Sequence, residues 1–415
     1  MTVQHDSQHD SPHGPAGPAA HGRVIHGSPG CPAASYTDIM APMRAGEHLA
    51  LFDQQREQAD FLFGDAGGHD FWVATKIDDI RAILQDGDTF SSDSLVASDP
   101  NPEYRWIPEM LGGQEHTKWR QLLGQFFAPS AVEKLKPRMY EVINEIIDDV
   151  IDQGGCDFVH DVALRYPTTV FVEWMGLPTA DIPLFQHWET EMMHNSHDTE
   201  RSVPAMTAVI DYFQNLVAER RRAPQDDLLS IAATWQIDGV PVDDNDLLAT
   251  CLGLFIAALD SVGGQLGYSM MHLATHESDR KRLLAEPKLW QSGIEELLRY
   301  YSFVVTSRKI TRDVDLNGCP MKAGQMVFVA MSAASRDPQE FPDADKVILD
   351  RKANRHLAFG AGRHRCLGSH LARAELMVAL PEWHRRIPDY RLVEGSILEE
   401  HGGVIGLDNL PLIWR

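Results

Sequence analysis

Cysteines are few and scattered in this sequence. Its 415 residues contain five, at positions 31, 156, 251, 319 and 366, and no two of them form a Cys-x-x-Cys pair. A disulfide-framed secreted fold or a cysteine zinc site would need cysteines in pairs at short spacing. We therefore exclude both classes and expect a protein of a reducing cytoplasm.

Segments that would direct the chain to a membrane are also missing. The N-terminus has neither the basic region nor the apolar core of a signal peptide. The best apolar run, residues 251–259, is far shorter than the roughly 20 residues of a membrane-spanning helix. We expect a cytoplasmic protein with no membrane anchor.

Basic residues are scarce relative to acidic ones. The chain has 37 Lys and Arg against 60 Asp and Glu, a formal net charge of −23. Nucleic acids and anionic membranes bind basic patches, so neither is expected as a partner. The acidic balance is typical of a well-solvated surface.

The N-terminal residues 1–35 differ in composition from the rest of the chain. They are rich in His, Pro, Gly, Ser and Ala and have no helical or strand period, which predicts a disordered tail. The histidines of this tail are irregularly spaced, which favours a solvated tail over a metal site. Residues 36–415 contain no linker or internal repeat, so we expect them to form one domain.

Hydrophobic periodicity predicts a mainly helical fold with a small β portion. Helices are expected over residues 131–153, 206–222, 244–276 and 289–301, and another begins near Leu367. Strands are expected over 71–75, 308–316 and 326–330, with Asn317-Gly318 as a hairpin turn. The pair Gly263-Gly264 predicts a local distortion of its helix. This pattern argues against a doubly wound sheet, in which strands and helices would alternate.

The strongest chemical signal is the segment at residues 359–368, Phe-Gly-Ala-Gly-Arg-His-Arg-Cys-Leu-Gly. Its glycines permit a tight turn, and Cys366 lies just before a predicted helix, whose N-terminus stabilises a thiolate. A thiolate is one of the few axial ligands of haem iron, and it favours cleavage of the O–O bond. For an isolated cysteine, a buried structural role would be the better interpretation, but the flanking residues reverse that preference.

This segment resembles the haem-binding loop of the cytochrome P-450 family, Phe-x-x-Gly-x-Arg/His-x-Cys-x-Gly. The resemblance covers nearly the whole chain after the tail and is nearest to the soluble bacterial members, somewhat like the camphor-hydroxylase type. It implies haem b (heme b, iron protoporphyrin IX) between the long central helix and the helix after the cysteine. Cys366 would bind the iron, and Phe359, Gly360 and Gly368 would shape the loop.

Two further motifs match the family in its order. Glu296 and Arg299 match its Glu-x-x-Arg pair, and the third member should come from residues 351–356, where Arg355 and His356 are the candidates. The stretches 336–338 and 354–357 match structural signatures that precede the haem loop.

The long helix carries the segment at residues 257–261, Ala-Ala-Leu-Asp-Ser. A carboxylate in an apolar helix is costly without a partner or a function. By resemblance, Ala257 borders the oxygen-binding groove, and Asp260 and Ser261 relay protons. Family members commonly have Gly at position 258 and Thr at position 261, so the serine here predicts a less tightly coupled relay.

Cations that would bind the haem propionates come from three parts of the chain. His116 and Arg120 are four residues apart and share one helix face. By resemblance, Arg308 and His364 join them, because charge-assisted bonds to carboxylates need cations. Each of these residues taken alone would be interpreted as a surface cation.

The resemblance also suggests which residues line the substrate pocket. Tyr104 precedes the His116 helix at the distance at which the camphor-hydroxylase type has a tyrosine that hydrogen-bonds a ketone, although an ordinary loop aromatic is an equal alternative. The preceding loop differs in length and content, so substrate identity does not follow. The expected pocket residues are Leu95, Val96, Tyr104, Gly253, Ile256, Val304, Thr306, Val404 and Ile405.

The implied reaction is monooxygenation of a small hydrophobic substrate, such as a terpenoid, with O₂. The sequence shows no flavin or nicotinamide fingerprint, so electrons would come from a ferredoxin and its reductase. Lys118, Arg363, Arg365 and Arg373 would form a basic docking patch. Two alternatives stay open: a peroxide-driven peroxygenase on the same fold, and a non-catalytic haem protein that senses a small ligand.

Overall fold

The structure is a computed structural model that describes residues 33–35, 43–66, 68–195, 198–401 and 405–414. Within these ranges the chain forms thirteen α-helices: α1 (Glu47–Gln58), α2 (Ile77–Gln85), α3 (Gly113–Phe127), α4 (Pro129–Ile151), α5 (Arg165–Met175), α6 (Ile182–Glu189), α7 (Thr199–Arg222), α8 (Leu228–Ala232), α9 (Asp244–Thr275), α10 (Glu277–Ala285), α11 (Trp290–Tyr300), α12 (Met331–Ser335) and α13 (Ser369–Arg386).

The strands are short. Across the same described ranges they are β1 (Ala33–Ser35), β2 (Met43–Arg44), β3 (Phe61–Ala66), β4 (His69–Ala74), β5 (Phe90–Ser91), β6 (Gly155–Asp157), β7 (Gln236–Ile237), β8 (Val240–Pro241), β9 (Thr306–Ile310), β10 (Val314–Leu316), β11 (Cys319–Met321), β12 (Met326–Val329), β13 (Tyr390–Leu392), β14 (Glu399–His401), β15 (Gly406–Leu407) and β16 (Pro411–Trp414). The expectation of a mainly helical fold with a small β portion is confirmed.

The largest sheet has six strands in the order β1-β3-β4-β12-β9-β5. Strand β12 is central: it runs parallel to β4 and antiparallel to β9. Its residues 326–329 are all buried, as expected for a strand covered on both faces. This sheet carries Arg308 on β9, so it positions one of the predicted propionate ligands.

The predicted hairpin at Asn317-Gly318 is present, but it joins β10 to β11. Both turn residues have positive φ, +52° and +84°, the backbone conformation that an Asn-Gly turn adopts. The alternating stretch 308–316 is not one strand, because β9 ends at Ile310 and β10 begins at Val314 in a separate two-stranded sheet.

Amphipathic helices enclose the core as their periodicity predicts. The apolar face of α4 includes Val142, Ile143, Ile146 and Ile147, all buried, and it packs against α13. Burying each such side chain contributes about 1.5–3 kcal/mol. Two large clusters of buried side chains result, and α9 contributes residues to both.

Helix α9 runs through the middle of the fold and contacts α5, α7, α11 and α13. In the part of the chain that the structure describes, it is the single helix long and apolar enough to cross a membrane, a property that core helices of soluble proteins share. The expected distortion at Gly263-Gly264 is wrong, since α9 is continuous through both residues. The glycines serve close packing instead: a Cβ on Gly263 would lie 2.9 Å from the Ala163 carbonyl oxygen.

Two expectations about the chain's termini and cysteines need adjustment. The predicted tail, residues 1–35, lies outside the described residues except for its last three, which form β1 and pair with β3. Residues 33–35 are therefore part of the largest sheet. Cys319 is disulfide-bonded, whereas Cys156, Cys251 and Cys366 are free, so one disulfide exists although no disulfide framework does.

Candidate functional site

Cys366 lies in a tight loop, three residues before α13 begins at Ser369. Its backbone N–H donates to the Phe359 carbonyl oxygen at 2.8 Å, which closes the loop. The side chain is solvent-accessible, yet protein surrounds it so closely that burial raises the pKa of the thiol, while a hydrogen bond from the Gly368 N–H opposes that rise. A side chain that solvent can reach although protein atoms surround it faces a space inside the protein.

Gly362 allows the loop to approach α2. Its φ is +69°, and a Cβ would lie 2.3 Å from the Leu84 carbonyl oxygen, so no other residue fits there. The Arg373 guanidinium lies over the aromatic ring of Phe359, 4.3 Å from its centroid, and packs against it. Backbone geometry and packing thus hold the cysteine loop in one conformation.

The four predicted propionate ligands come together beside this loop. The rings of His116 on α3 and His364 are 4.1 Å apart, and the charges of Arg120 and Arg308 act on His364. Burial, followed by repulsion from neighbouring cations, lowers the pKa of His116 to about 4 and that of His364 to about 3. Burial also lowers the pKa values of Arg120 and Arg308.

Clustered buried cations are unfavourable unless an anion compensates them. The charge of Glu109 acts on Arg308, and burial raises the pKa of this carboxyl group. Four basic groups converging near Cys366 are the donor set that the two carboxylates of haem would satisfy. The residues present therefore fit haem, and Cys366 is the residue that would bind its iron.

Residues of α9 complete the site. Ala257 is exposed although it lies on a helix through the core, which places it on the wall of an internal space. The Ser261 hydroxyl donates to the Ala257 carbonyl oxygen at 2.8 Å. Asp260 is buried, and burial raises its pKa. Its carboxyl group is not bonded to Ser261; one oxygen, Oδ2, has no hydrogen-bond partner.

The predicted structural pair is confirmed in geometry, but its third member is not one of the two candidates. Arg299 donates to both carboxylate oxygens of Glu296, at 2.9 and 2.8 Å, and both side chains are fully buried. Arg351 is the third member, with its Nε 3.0 Å from each Glu296 oxygen.

The two residues proposed from sequence bind other acids. Arg355 pairs with Glu340 and is mostly exposed, and His356 pairs with Glu295 at 3.1 Å. Arg351 lies earlier in the same stretch. The backbone N–H of Ile348 also donates to the Glu296 carboxylate, which holds this part of the chain beside Glu296. The expected structural role of the stretch 354–357 agrees with Asn354, whose amide donates to Glu296 at 3.2 Å.

The structure brings some of the predicted substrate residues together. Leu95 accepts a hydrogen bond from Ser307 N at 3.1 Å, which places it beside Thr306. Gly253 packs against the segment that follows Tyr104: a Cβ there would lie 3.0 Å from the Ile107 carbonyl oxygen. The Tyr104 ring packs at a tilt of 35° against Trp106 with centroids 5.3 Å apart, and 44% of the residue is exposed.

The other predicted pocket residues differ from one another in burial and contacts. Thr306 accepts a bond from Arg308 Nη1 at 3.0 Å, and Ile405 is buried in the core. Val96 is exposed, while Ile256 and Val304 are half-buried at the edges of apolar clusters. Val404 lies outside the described residues.

Sequence reasoning missed several neighbours of the site. Ser92 Oγ lies 3.0 Å from His364 Nε2, and Glu109 lies beside Arg308. His194 and His401 adjoin Asp260 through space, from distant parts of the chain. No spacing in the sequence relates these residues, because three-dimensional folding alone brings them together.

The fold and the site together fit the class of haem proteins, with Cys366 placed where it would bind the iron. Residues 179–383 match the family model for cytochrome P450. The chain is 33% identical to a probable cytochrome P450 127A1 of Sinorhizobium fredii, over 84% of each chain. It is also 33% identical to the mycinamicin IV hydroxylase/epoxidase of Micromonospora griseorubida, over 84% of this chain and 90% of that one.

A solved structure agrees with these relatives. The crystal structure of cytochrome P450 CYP101C1 has a TM-score of 0.85 and 27% identity, and the match covers 95% of this chain and all of that one. The chain belongs to the cytochrome P450 family and is a P450 monooxygenase that uses haem iron.

Proposed function

We propose that this chain inserts one atom of O₂ into a small hydrophobic compound, such as a terpenoid, using haem b and electrons from a ferredoxin and its reductase. The observation that carries the proposal is the convergence of Cys366 with two arginines and two histidines, His116, Arg120, Arg308 and His364, beside one internal space. We further propose that residues 36–415 are the haem-thiolate domain and that it works in the cytoplasm.

Each part of the site has a separable task. Cys366 would bind the iron, and His116, Arg120, Arg308 and His364 would bind the propionates. When bound, the haem supplies oxygen activation, and the thiolate favours O–O cleavage. Iron binding requires the deprotonated sulfur, and the Gly368 N–H already favours that form.

Protons would come from α9. Burial raises the pKa of Asp260, so this carboxyl group can hold a proton on its unpartnered Oδ2 and release it. The Ser261 hydroxyl is the next donor toward the site; it now binds its own helix and would rotate to pass a proton on. Asp260→Asn should therefore slow turnover and change its solvent isotope effect; an unaltered rate and isotope effect would contradict the relay.

The expected docking patch is weaker than the sequence suggests. Lys118 pairs with Asp238, Arg363 with Asp88 and Arg373 with Glu295. Of the four cations, Arg365 is the one without a carboxylate partner among the described residues, and it is exposed. Arg365 is therefore the strongest single candidate for contact with an acidic redox protein.

A charge substitution tests this contact. Arg365→Glu should slow ferredoxin-driven reduction, and the effect should shrink at high salt. Arg222→Glu, at an exposed arginine that ends α7, is the control. Equal reduction rates for both variants would exclude the patch.

The decisive experiment for the function is spectroscopic. The reduced protein with carbon monoxide should show the strongly red-shifted Soret band of thiolate ligation, and Cys366→Ala should lose it. Substrates can then be screened by the shift of the haem spin state, and hydroxylation and epoxidation assayed first, since one relative is named for both. A haem-free protein would overturn the proposal.

The two alternatives make different predictions. A peroxygenase would form product with peroxide and none with a ferredoxin system, and the buried Asp260 would then have no proton to deliver. A sensor would form no product with any compound that shifts the spin state. Product formation that needs O₂ and ferredoxin excludes both.

A further inference from the structure

A second cluster of polar side chains lies on the side of α9 where Asp260 is buried. His194 ends a short helical turn at Thr190–His194, His401 ends β14, and Asp408 follows β15. The side chains of His194 and His401 are 9% and 5% exposed, and Asp260 is 3% exposed. Three buried polar groups from different parts of the chain therefore meet here, with the partly exposed Asp408 beside them.

Asp408 orients both histidines. Its Oδ1 lies 3.2 Å from His194 Nδ1 and 2.8 Å from His401 Nδ1. A carboxylate oxygen between the two rings accepts hydrogen bonds, so each Nδ1 is the protonated nitrogen and each Nε2 keeps a free lone pair.

Each of the three buried residues has an unpartnered polar atom. His194 Nε2, His401 Nε2 and Asp260 Oδ2 have no hydrogen-bond partner. One nitrogen or oxygen atom from each of these three residues lies within 4.8 Å of those from the other two. They border a cavity of about 10 Å³, also lined by the glycines at 263, 264 and 267. That space suits one water molecule or one small ion.

We propose that His194, His401 and Asp260 form a binding site for one divalent transition-metal ion, with zinc as the best-matched case. Two neutral imidazoles and a carboxylate are a common zinc ligand set, with a fourth position left for water. A carboxylate that accepts from the far nitrogen of a ligating histidine is the usual outer partner of such a site, and Asp408 supplies it to both. The charges of Asp260 and Asp408 balance the ion.

Metal at this site has a consequence that rests on the proposed function. A bound cation occupies Asp260 Oδ2, the atom proposed to carry the relayed proton. Zinc should therefore inhibit ferredoxin-driven product formation, and a chelator should restore it. The site links metal availability to proton delivery.

Zinc binding to the full-length, haem-loaded protein tests the site directly. After chelator treatment and equilibrium dialysis against Zn²⁺, zinc and haem iron are measured by elemental analysis. His401→Gln should lose one zinc per haem relative to the unsubstituted protein, and Asp408→Asn should bind that zinc about 10–100-fold more weakly. His187→Gln, at an exposed histidine on α6, is the control and should lose none. The tail histidines contribute equally to every protein compared.

A second variant and a second readout cover a failure to fold. His194→Gln should show the same loss, and zinc should raise the thermal midpoint of the unsubstituted protein because it binds the folded state. Equal zinc content in His401→Gln, His194→Gln and His187→Gln would overturn the proposal, and so would the absence of a zinc-dependent shift of the thermal midpoint. The cavity would then hold a water molecule.

The readouts separate this proposal from the function it adjoins. Zinc bound by the site together with unchanged product formation would overturn the inhibitory role alone. If the haem-loaded, zinc-free protein forms no product, that result counts against the proposed function. It leaves the zinc site untouched, because zinc content does not depend on turnover.

Discussion

Arg351 binds Glu296 with its Nε 3.0 Å from both carboxylate oxygens, and through this bond it ties the stretch before the cysteine loop to α11. Glu296 also accepts from Arg299, Ile348 and Asn354. A fully buried carboxylate is stable only when such donors surround it. The residues that precede the haem loop are therefore held by one charge.

Removing Arg351 should destabilise the fold. Arg351→Gln leaves the buried Glu296 charge with fewer donors, at a cost of about 3 kcal/mol of unfolding free energy. Arg355→Gln is the matched control, since this exposed arginine should contribute about 0–1 kcal/mol. Denaturant unfolding followed by circular dichroism measures both; equal losses would refute the assignment of Arg351 as the third member.

Ser261→Ala should uncouple electron use from product formation without reducing stability. The hydroxyl now binds only a carbonyl of its own helix, so little folding free energy depends on it. Product formed per electron consumed should fall, and Ser261→Thr, which keeps the hydroxyl, should retain the coupling. Undiminished yield in Ser261→Ala would remove the hydroxyl from the relay.

Gly263→Ala should destabilise the protein by about 1–3 kcal/mol, because its Cβ would lie 2.9 Å from the Ala163 carbonyl oxygen. Gly124→Ala in α3 is the control: no atom lies within 4 Å of its Cβ, so the better helix propensity of alanine should add about 0.5–1 kcal/mol. Thermal or denaturant unfolding gives both values, and a stabilising Gly263→Ala would mean that α9 can move away from Ala163.

Stability should fall in mild acid partly because of His384. Burial lowers the pKa of this histidine to about 4 from its ordinary 6.5, although a bond to the Leu380 carbonyl opposes the shift. Between these pH values the unfolded chain binds a proton that the folded protein does not, so stability is complete above pH 6.5 and declines as the pH falls toward 4.

The contribution can be isolated by substitution. Between pH 6.5 and 5 the folded protein should lose about 2 kcal/mol through His384. His384→Gln removes the titrating group, so the pH dependence of its unfolding free energy should be shallower than that of the unsubstituted protein. Parallel curves would show that His384 is already charged in the folded state.

Local patterns in the sequence were enough to predict several of the long helices and one hairpin turn. The apolar periods of α4 and α9, the Asn317-Gly318 turn and the cysteine loop at 359–368 each depend on residues close together in the chain. Their boundaries differ by a few residues, since helix ends are set by neighbouring packing as well as by composition. A recognisable sequence motif made it possible to name Phe359 and Cys366. The four residues proposed to bind the propionates followed from the same resemblance.

Tertiary structure alone decided which partners the charged and small residues have. Arg351 instead of Arg355 reaches Glu296, Gly263 meets Ala163, and His194 and His401 meet Asp260. These relationships join residues 55 or more positions apart, where no sequence period operates. The sequence by itself determined the helical class and the haem-dependent family, and it led to Cys366 as the proposed iron ligand, because these follow from local pattern and residue type. Which cation is neutralised, and what faces the proton-carrying acid, depend on distances that only the folded chain defines.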